Sequence, residues 1–501
     1  MTTRQAPAPA TSTPSTPRRR GLGAAYGWWL ASDTASALST SLAGFAVPLL
    51  ALGVTGSPAQ AGVIGAVGLA VRALATAAGG VLADRHDRLR LMIAGGLIGI
   101  VLAVAFTVLT LGPALGFASL LAVNALLAAR NGAFGTAASA ALKDVVPASA
   151  LGRAQASNQG RDAVIALGGA PLGGLLLGAG GWLVGAVMIL CQLVATIAAG
   201  ALRALRRRAA LPDDAAGPAP ESAGPGVPAD AAAGHGDPTQ AGVTPATPAA
   251  GKPEAPGEHA PSGSSSTPRR SARAELAEAF AWLWRRPDLR GALLVCTIVN
   301  LGFNAVVTTV IYSLQQGGTP PTTIGLVSTG IGAGMLAGAL AAPFLVAKVP
   351  AGLLTGLGLV LVTASTLALP WVHSPAAVGA VLAAGMAGTP ALNAALLGYF
   401  MVATPSHLMG RATSVLDLFA TGAMPLAPLL AGLGLALLGR GPTLLIGAGL
   451  CAVSAALALG TRQLRRLPAE SGWVAHAAAI TASAEPASST HPAVRPPAAQ
   501  P

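Results

Sequence analysis

The sequence predicts an all-α membrane protein: twelve transmembrane helices in two pseudo-symmetric six-helix bundles, with both termini cytoplasmic. Three observations lead there. The 501 residues are 53% hydrophobic and only 10% charged, whereas a soluble chain carries about a quarter charged residues. The apolar residues come in repeated stretches of about 20 or more, long enough as helices to cross a hydrocarbon core of ~30 Å. In lipid each backbone polar group must be satisfied within its own segment, so such stretches are helical; the short alternating strands of a membrane barrel do not occur. Finally, "VVPASALGRAQAS" and "VATPSHLMGRATS" share a spacing, Pro147 matching Pro405 and Gly152-Arg153-Ala154 matching Gly410-Arg411-Ala412. Each precedes the fifth span of its half. Parallel six-span halves with a site between them are a transporter architecture.

In chain order, residues 1–21 are Pro/Thr/Ala-rich and predict a disordered cytoplasmic tail. Spans follow near 23–50, 59–81, 90–112, 116–141, 154–177 and 181–202, making an N-terminal bundle over 22–205. Residues 206–270 lack periodic hydrophobicity and predict a disordered linker. Within 271–287, Leu276, Phe280, Leu283 and Trp284 recur at helical spacing opposite Arg273, Glu275, Glu278 and Arg285. That pattern predicts an interfacial helix anchored by Trp282 and Trp284. The second bundle, 288–463, has spans near 290–314, 322–346, 350–371, 376–401, 412–437 and 441–460. The remainder, 464–501, reads as a second disordered tail.

Charge sets the expected orientation. Arg18–Arg20, Arg85–Arg90, Arg153, Arg206–Arg208, Lys348, Arg411 and Arg462–Arg466 fall on even-numbered connections or tails, while the odd-numbered ones carry only Arg440. The positive-inside rule then puts both termini in the cytoplasm of a multi-pass plasma-membrane protein. The 64 glycines fit close helix approach in lipid, so "GIGAG" at Gly330–Gly334 is a packing element; a dinucleotide site needs a strand before it. Cys191, Cys296 and Cys451 lie singly in apolar runs and suggest neither disulfides nor a metal site. No basic-aromatic surface for nucleic acid and no ATP-binding motif is visible, and the net charge of +12 suits orientation and anionic lipid.

One short turn stands out. "GGVLADRHDRLRLM" gathers Asp84, Arg85, Asp87, Arg88 and Arg90 between spans 2 and 3. Acids contribute little to orientation, so their presence asks for a further role. This turn resembles the signature of the major facilitator superfamily, Gly-x-x-x-Asp-Arg-x-x-Arg plus a further basic residue. Gly80, Asp84, Arg85 and Arg88 match; Arg90 stands one place late, Leu89 fills its slot, and Asp87 replaces the usual glycine. The chain is further similar to the enterobactin-exporter and macrolide-efflux-like branch through "LLALGVTGSPAQAGVIGAV", "AEAFAWLWRRPDLRGALL" and "HLMGRATSV". The resemblance implies the major facilitator fold and a latch in which Asp84, Arg85 and Arg88 hold the second half, with Asp417 beside Arg85 or Arg88. Pseudo-symmetry would bring Asp162 towards Lys348.

Ionisable residues inside a membrane are costly and need a reason. Asp33 is the one deep acid, and forms a stripe with Ser36 and Thr40; Asn300, Asn304, Thr308 and Tyr312 make a stripe on span 7. Asn124, Asn131, Thr389 and Asn393 would complete a cavity, since spans 1, 4, 7 and 10 line the central path in the superfamily. Arg130 looks like the family's span-4 arginine associated with proton coupling. Asp33 is thus the candidate proton site, with Arg130 or Arg72 as counter-charge; a buried pair that only fastens helices is the structural alternative. The span-5 antiporter signature reads "GGAPLGG" here, its proline one residue nearer the glycines than the family pattern. Taken together, a monomeric proton-coupled exporter of small amphipathic organic compounds is expected, needing no cofactor beyond a proton gradient. An importer, an interfacial membrane enzyme and a sensor are the rivals.

Overall fold

The computed structural model describes residues 23–147, 150–209, 272–405 and 408–484. The expected N-terminal tail, nearly all of the linker and the last residues lie outside these. The first half consists of α1 (Gly23–Thr55), α2 (Pro58–Arg85), α3 (Arg88–Leu111), α4 (Phe117–Val145), α5 (Leu151–Ala179) and α6 (Gly181–Ala209). A short helix, α7 (Ala272–Arg285), precedes the second half. That half holds α8 (Pro287–Gln316), α9 (Pro321–Lys348), α10 (Ala351–Ala368), α11 (Pro375–Met386), α12 (Thr389–Ala403), α13 (Met409–Gly422), α14 (Leu426–Leu437) and α15 (Arg440–Gly460). Two short helices follow, α16 (Arg462–Arg465) and α17 (Trp473–Ala484). Twelve helical segments are long and apolar enough to cross a membrane. Large apolar side chains such as Leu74, Phe344 and Leu437 point outward, as a lipid-facing surface requires.

Small residues set the helix spacing. A Cβ on Gly79 would fall 2.5 Å from the Ala133 carbonyl oxygen, and one on Gly132 would fall 2.5 Å from that of Arg72, so α2 and α4 touch backbone to backbone. The signature glycine, Gly80, has no such neighbour.

Spans 10 and 11 are each broken rather than continuous. Pro390 lacks the N–H that would bond the carbonyl of Met386, so α11 stops and α12 begins there. The Thr389 hydroxyl donates to that carbonyl at 2.8 Å. Expected as a cavity residue, Thr389 therefore completes a broken helix. Pro425 marks the corresponding break between α13 and α14.

The repeat seen in the sequence is a repeat of structure. Ala150 N–H donates to Pro147 O at 2.8 Å, and Leu408 N–H to Pro405 O at 3.0 Å. Ala154 and Ala412 are both fully buried one turn later.

The C-terminal segment corrects an expectation. Residues expected to be a disordered tail instead include α16 and α17, helical to Ala484. Trp473 is buried against Gly398 of α12, and its Nε1–H donates to Pro468 O at 3.0 Å. The carbonyls of Pro468 and Leu467 accept from the N–H groups of Ala351 and Gly352, the otherwise unpaired donors at the start of α10. Likewise α7 is not held by two tryptophan anchors alone. Ala279 and Leu283 are buried in the second-half core, Phe280 stacks on Phe419, and Trp282 is partly buried while Trp284 is exposed.

Candidate functional site

A cavity of about 460 Å³ opens inside the first half, lined by residues of α1 to α6. It continues into a second lobe of about 260 Å³, which shares Thr40, Arg72 and Asn131 and is closed on its far side by Thr308 and Tyr312 of α8. Asn124 also faces that lobe, its Nδ2 donating to Ile64 O at 2.8 Å. The stripe of Asp33, Ser36 and Thr40 lines the larger lobe. Two side chains of the span 7 stripe do not reach either lobe: Asn300 donates to Ala420 O at 3.2 Å and Asn304 to Asn300 O at 2.8 Å. Asn393 lines a separate cavity of about 320 Å³ within the second half, together with Asp288, Tyr399 and Asp417.

The counter-charge of Asp33 is neither Arg130 nor Arg72. Arg161 of α5 donates from Nη1 to Asp33 Oδ2 at 2.5 Å, and from Nη2 to Asp162 Oδ1 at 2.7 Å. One guanidinium thus spans two carboxylates, a fork geometry for which arginine is suited. Arg130 is buried and takes neutral partners: Gly95 O and Gln192 Oε1, each at 2.8 Å, Asn131 Oδ1 at 2.9 Å and Ser36 Oγ at 3.3 Å. Its role is to tie α1, α3, α4 and α6 together at one node. Arg72 is exposed to the cavity and, among the described residues, forms no ion pair or side-chain hydrogen bond.

The expected pairing of Asp162 with Lys348 is absent, because Arg161, its chain neighbour, already holds that carboxylate; Lys348 is exposed.

The charged turn between α2 and α3 has its own local logic. Asp87 caps α3, its Oδ1 accepting from Arg90 N–H at 2.9 Å, which explains an acid where the family pattern has glycine. Arg88 donates to Asp144 at 2.9 Å and to Ala140 O at 3.1 Å, both on α4 of its own half. Asp84, Arg85 and Arg90 are exposed, and Asp417 makes no ion pair among the described residues. Asp417 forms no ion pair with Arg85 or Arg88 among the described residues, and its helix α13 packs on α7 and α8. The main contacts between the halves lie at the other end. There α2 packs on α14, where a Cβ on Gly62 would lie 3.1 Å from Gly432 Cα, and α5 packs on α9. Ala170, Pro171 and Gly174, from the "GGAPLGG" cluster, supply the α5 side of that contact. Gln315 Nε2 donates to Leu49 O across the halves at 2.6 Å.

The sequence matches the Major Facilitator Superfamily over residues 31–428. The chain belongs to that superfamily. It is therefore a transporter rather than an interfacial enzyme. A comparison with curated protein sequences finds no match. Among solved structures, a bacterial homologue of the iron transporter ferroportin in an inward-facing state is similar with a TM-score of 0.61 at 13% identity, covering 88% of this chain and 99% of that one. A bacterial homologue of the human lysosomal transporter Spinster, inward-facing and unoccupied, gives 0.54 at 15% identity, with 93% and 98% covered. A bacterial metal transporter gives 0.51 at 12%, with 88% and 99% covered.

In this major facilitator protein the residues that sequence reasoning missed are Arg161, Asp144 and Gln192. Arg161 had a visible signal, since an arginine inside span 5 violates the apolar pattern as plainly as Arg72 or Arg130 does. Asp144 and Gln192 had none: their partners lie 56 and 62 residues away, on other helices.

Proposed function

We propose that this major facilitator protein is a proton-coupled exporter of small amphipathic organic compounds, such as a drug, siderophore or secreted metabolite. It works by alternating access, as a monomer in the plasma membrane with both termini cytoplasmic. The observation that carries this reading is the Asp33–Arg161–Asp162 cluster in the wall of a cavity that continues between two halves whose main contacts lie at one end. A proton arriving on Asp33 cancels its charge and leaves Arg161 to Asp162 alone, which rearranges the cavity wall. Proton binding and cavity shape are thereby linked through one guanidinium.

With basic connections facing the cytoplasm, the conformation described here opens inward. In the outward-open state Asp84, Arg85 and Asp417 approach across the closing gap and form the latch. Each exposed contact of this kind contributes about 1 kcal/mol or less, which biases two states without locking either. The efflux direction rests on the resemblance to the enterobactin-exporter and macrolide-efflux branch. One of the similar structures is of a bacterial metal transporter and another is of a homologue of an iron transporter. The cavity here sets Arg72, Arg130 and Arg161 against Asp33 and Asp162, an excess of positive charge that repels a divalent cation and supports an organic substrate.

The test is flux in proteoliposomes under an imposed pH gradient of either sign. Wild-type protein accumulates a candidate compound against its gradient, whereas Asp33→Asn exchanges it only downhill. Full pH-driven accumulation by Asp33→Asn would refute the coupling role.

A further inference from the structure

Arg72 stands midway along α2, where a guanidinium is expensive and normally finds an acid. Neither acid that lines its cavity is available, since Asp33 and Asp162 both bind Arg161. The remaining cation, Arg130, directs its hydrogen bonds to four neutral oxygens. Arg72 also lines both lobes of the cavity and is exposed there. The same lobes are lined by apolar groups, including Leu69, Leu127, Phe134 and Ile165, and by Thr40.

From this arrangement we infer that Arg72 is the recognition residue for an organic anion, an amphipathic compound bearing a carboxylate, sulfonate or phosphate monoester. The inference builds on the transport reading above and names the substrate class of the same cavity. The physical reason is a missing counter-ion: the cavity carries three cations against two acids, both held by Arg161, and of the two cations left without an acid Arg130 is satisfied by neutral oxygens whereas Arg72 has no side-chain partner among the described residues. A bound oxyanion supplies two acceptors to the guanidinium fork, and its hydrocarbon body covers the apolar wall. A neutral compound of the same shape displaces water from Arg72 without pairing it, and a cationic one adds repulsion.

Equilibrium binding to the purified full-length protein in detergent tests this without any gradient. Three matched probes are used: naphthalene-2-sulfonate, the neutral naphthalene-2-sulfonamide, and a naphthylmethyl-trimethylammonium ion. The sulfonate should bind and raise the melting temperature, and the other two should not. Arg72→Gln should weaken sulfonate binding by about tenfold or more, the usual loss for a charge-assisted hydrogen bond, while Arg72→Lys retains part of it. Because the Arg72 side chain has no protein partner among the described residues, Arg72→Gln should melt as the unliganded wild type does. Preference for the amide or the ammonium, silence of all three probes, or sulfonate binding unchanged in Arg72→Gln would each overturn the inference. None of those outcomes bears on transport. A protein that binds the sulfonate yet moves no compound under any gradient would overturn the transport reading alone.

Discussion

Arg161 shows how much one side chain decides in a low-dielectric cavity. Its guanidinium neutralises Asp33 while the side chains remain only 14% and 22% exposed, so removing it strands a carboxylate that water reaches poorly. Breaking a fully buried pair costs about 3–5 kcal/mol, and partial exposure lowers the figure here to about 2 kcal/mol. Arg161→Gln should therefore lower the unfolding midpoint in detergent. Asp33→Asn combined with Arg161→Gln should recover part of the loss, because the one carboxylate then left without its arginine, Asp162, is 60% exposed and solvated; equal destabilisation by the single and double variants would show that the Asp33 pair is not the reason. Arg130, although more deeply buried, has four neutral partners and acts as a node between helices.

At the level of the element, proline and tryptophan account for the departures from a plain bundle. Pro390 and Pro425 break spans 10 and 11 by withdrawing backbone donors, and Thr389 repairs one of the lost bonds. Trp473 fastens α17 to α12, while the preceding carbonyls cap α10. Replacing a buried tryptophan with alanine removes about 3 kcal/mol of packing. Trp473→Ala should release residues 473–484, read as faster amide hydrogen exchange there and at Ala351 and Gly352. The other helices should keep their protection. Unchanged exchange at all these amides would mean that the helix is held by something else. The small apolar composition of this segment resembles that of a loose tail, which is why its helix was not legible beforehand; its order comes from a surface that only the folded second half provides.

For the whole molecule, the informative feature is the asymmetry of contact between halves. α14 packs on α2 and α5 on α9, whereas α13 packs on α7 and α8 of its own half. Alternating access requires the closed end to open. A cysteine pair at Gly53 and Gln315, where the two halves meet beside the Leu49 carbonyl, offers a direct check once Cys191, Cys296 and Cys451 are replaced by alanine. A short thiol-specific cross-linker across that pair should abolish flux, and a reducible version should restore it on reduction. Undiminished flux through the cross-linked protein would exclude rocking about this end.

The twelve spans, the parallel repeat and the charged turn were all legible beforehand, for one reason. Lipid imposes rules on each segment separately: length, apolar composition and internal hydrogen bonding need no knowledge of neighbours. Pairing is different. Which arginine meets Asp33, which acid meets Arg88 and which glycine carries a helix contact depend on side chains brought together from distant segments. Asp33 and Arg161 are 128 residues apart, and their distance of 2.5 Å follows from how α1 rests on α5. The folded chain alone chose Arg161 over Arg130 and Arg72, and so left Arg72 facing an open cavity.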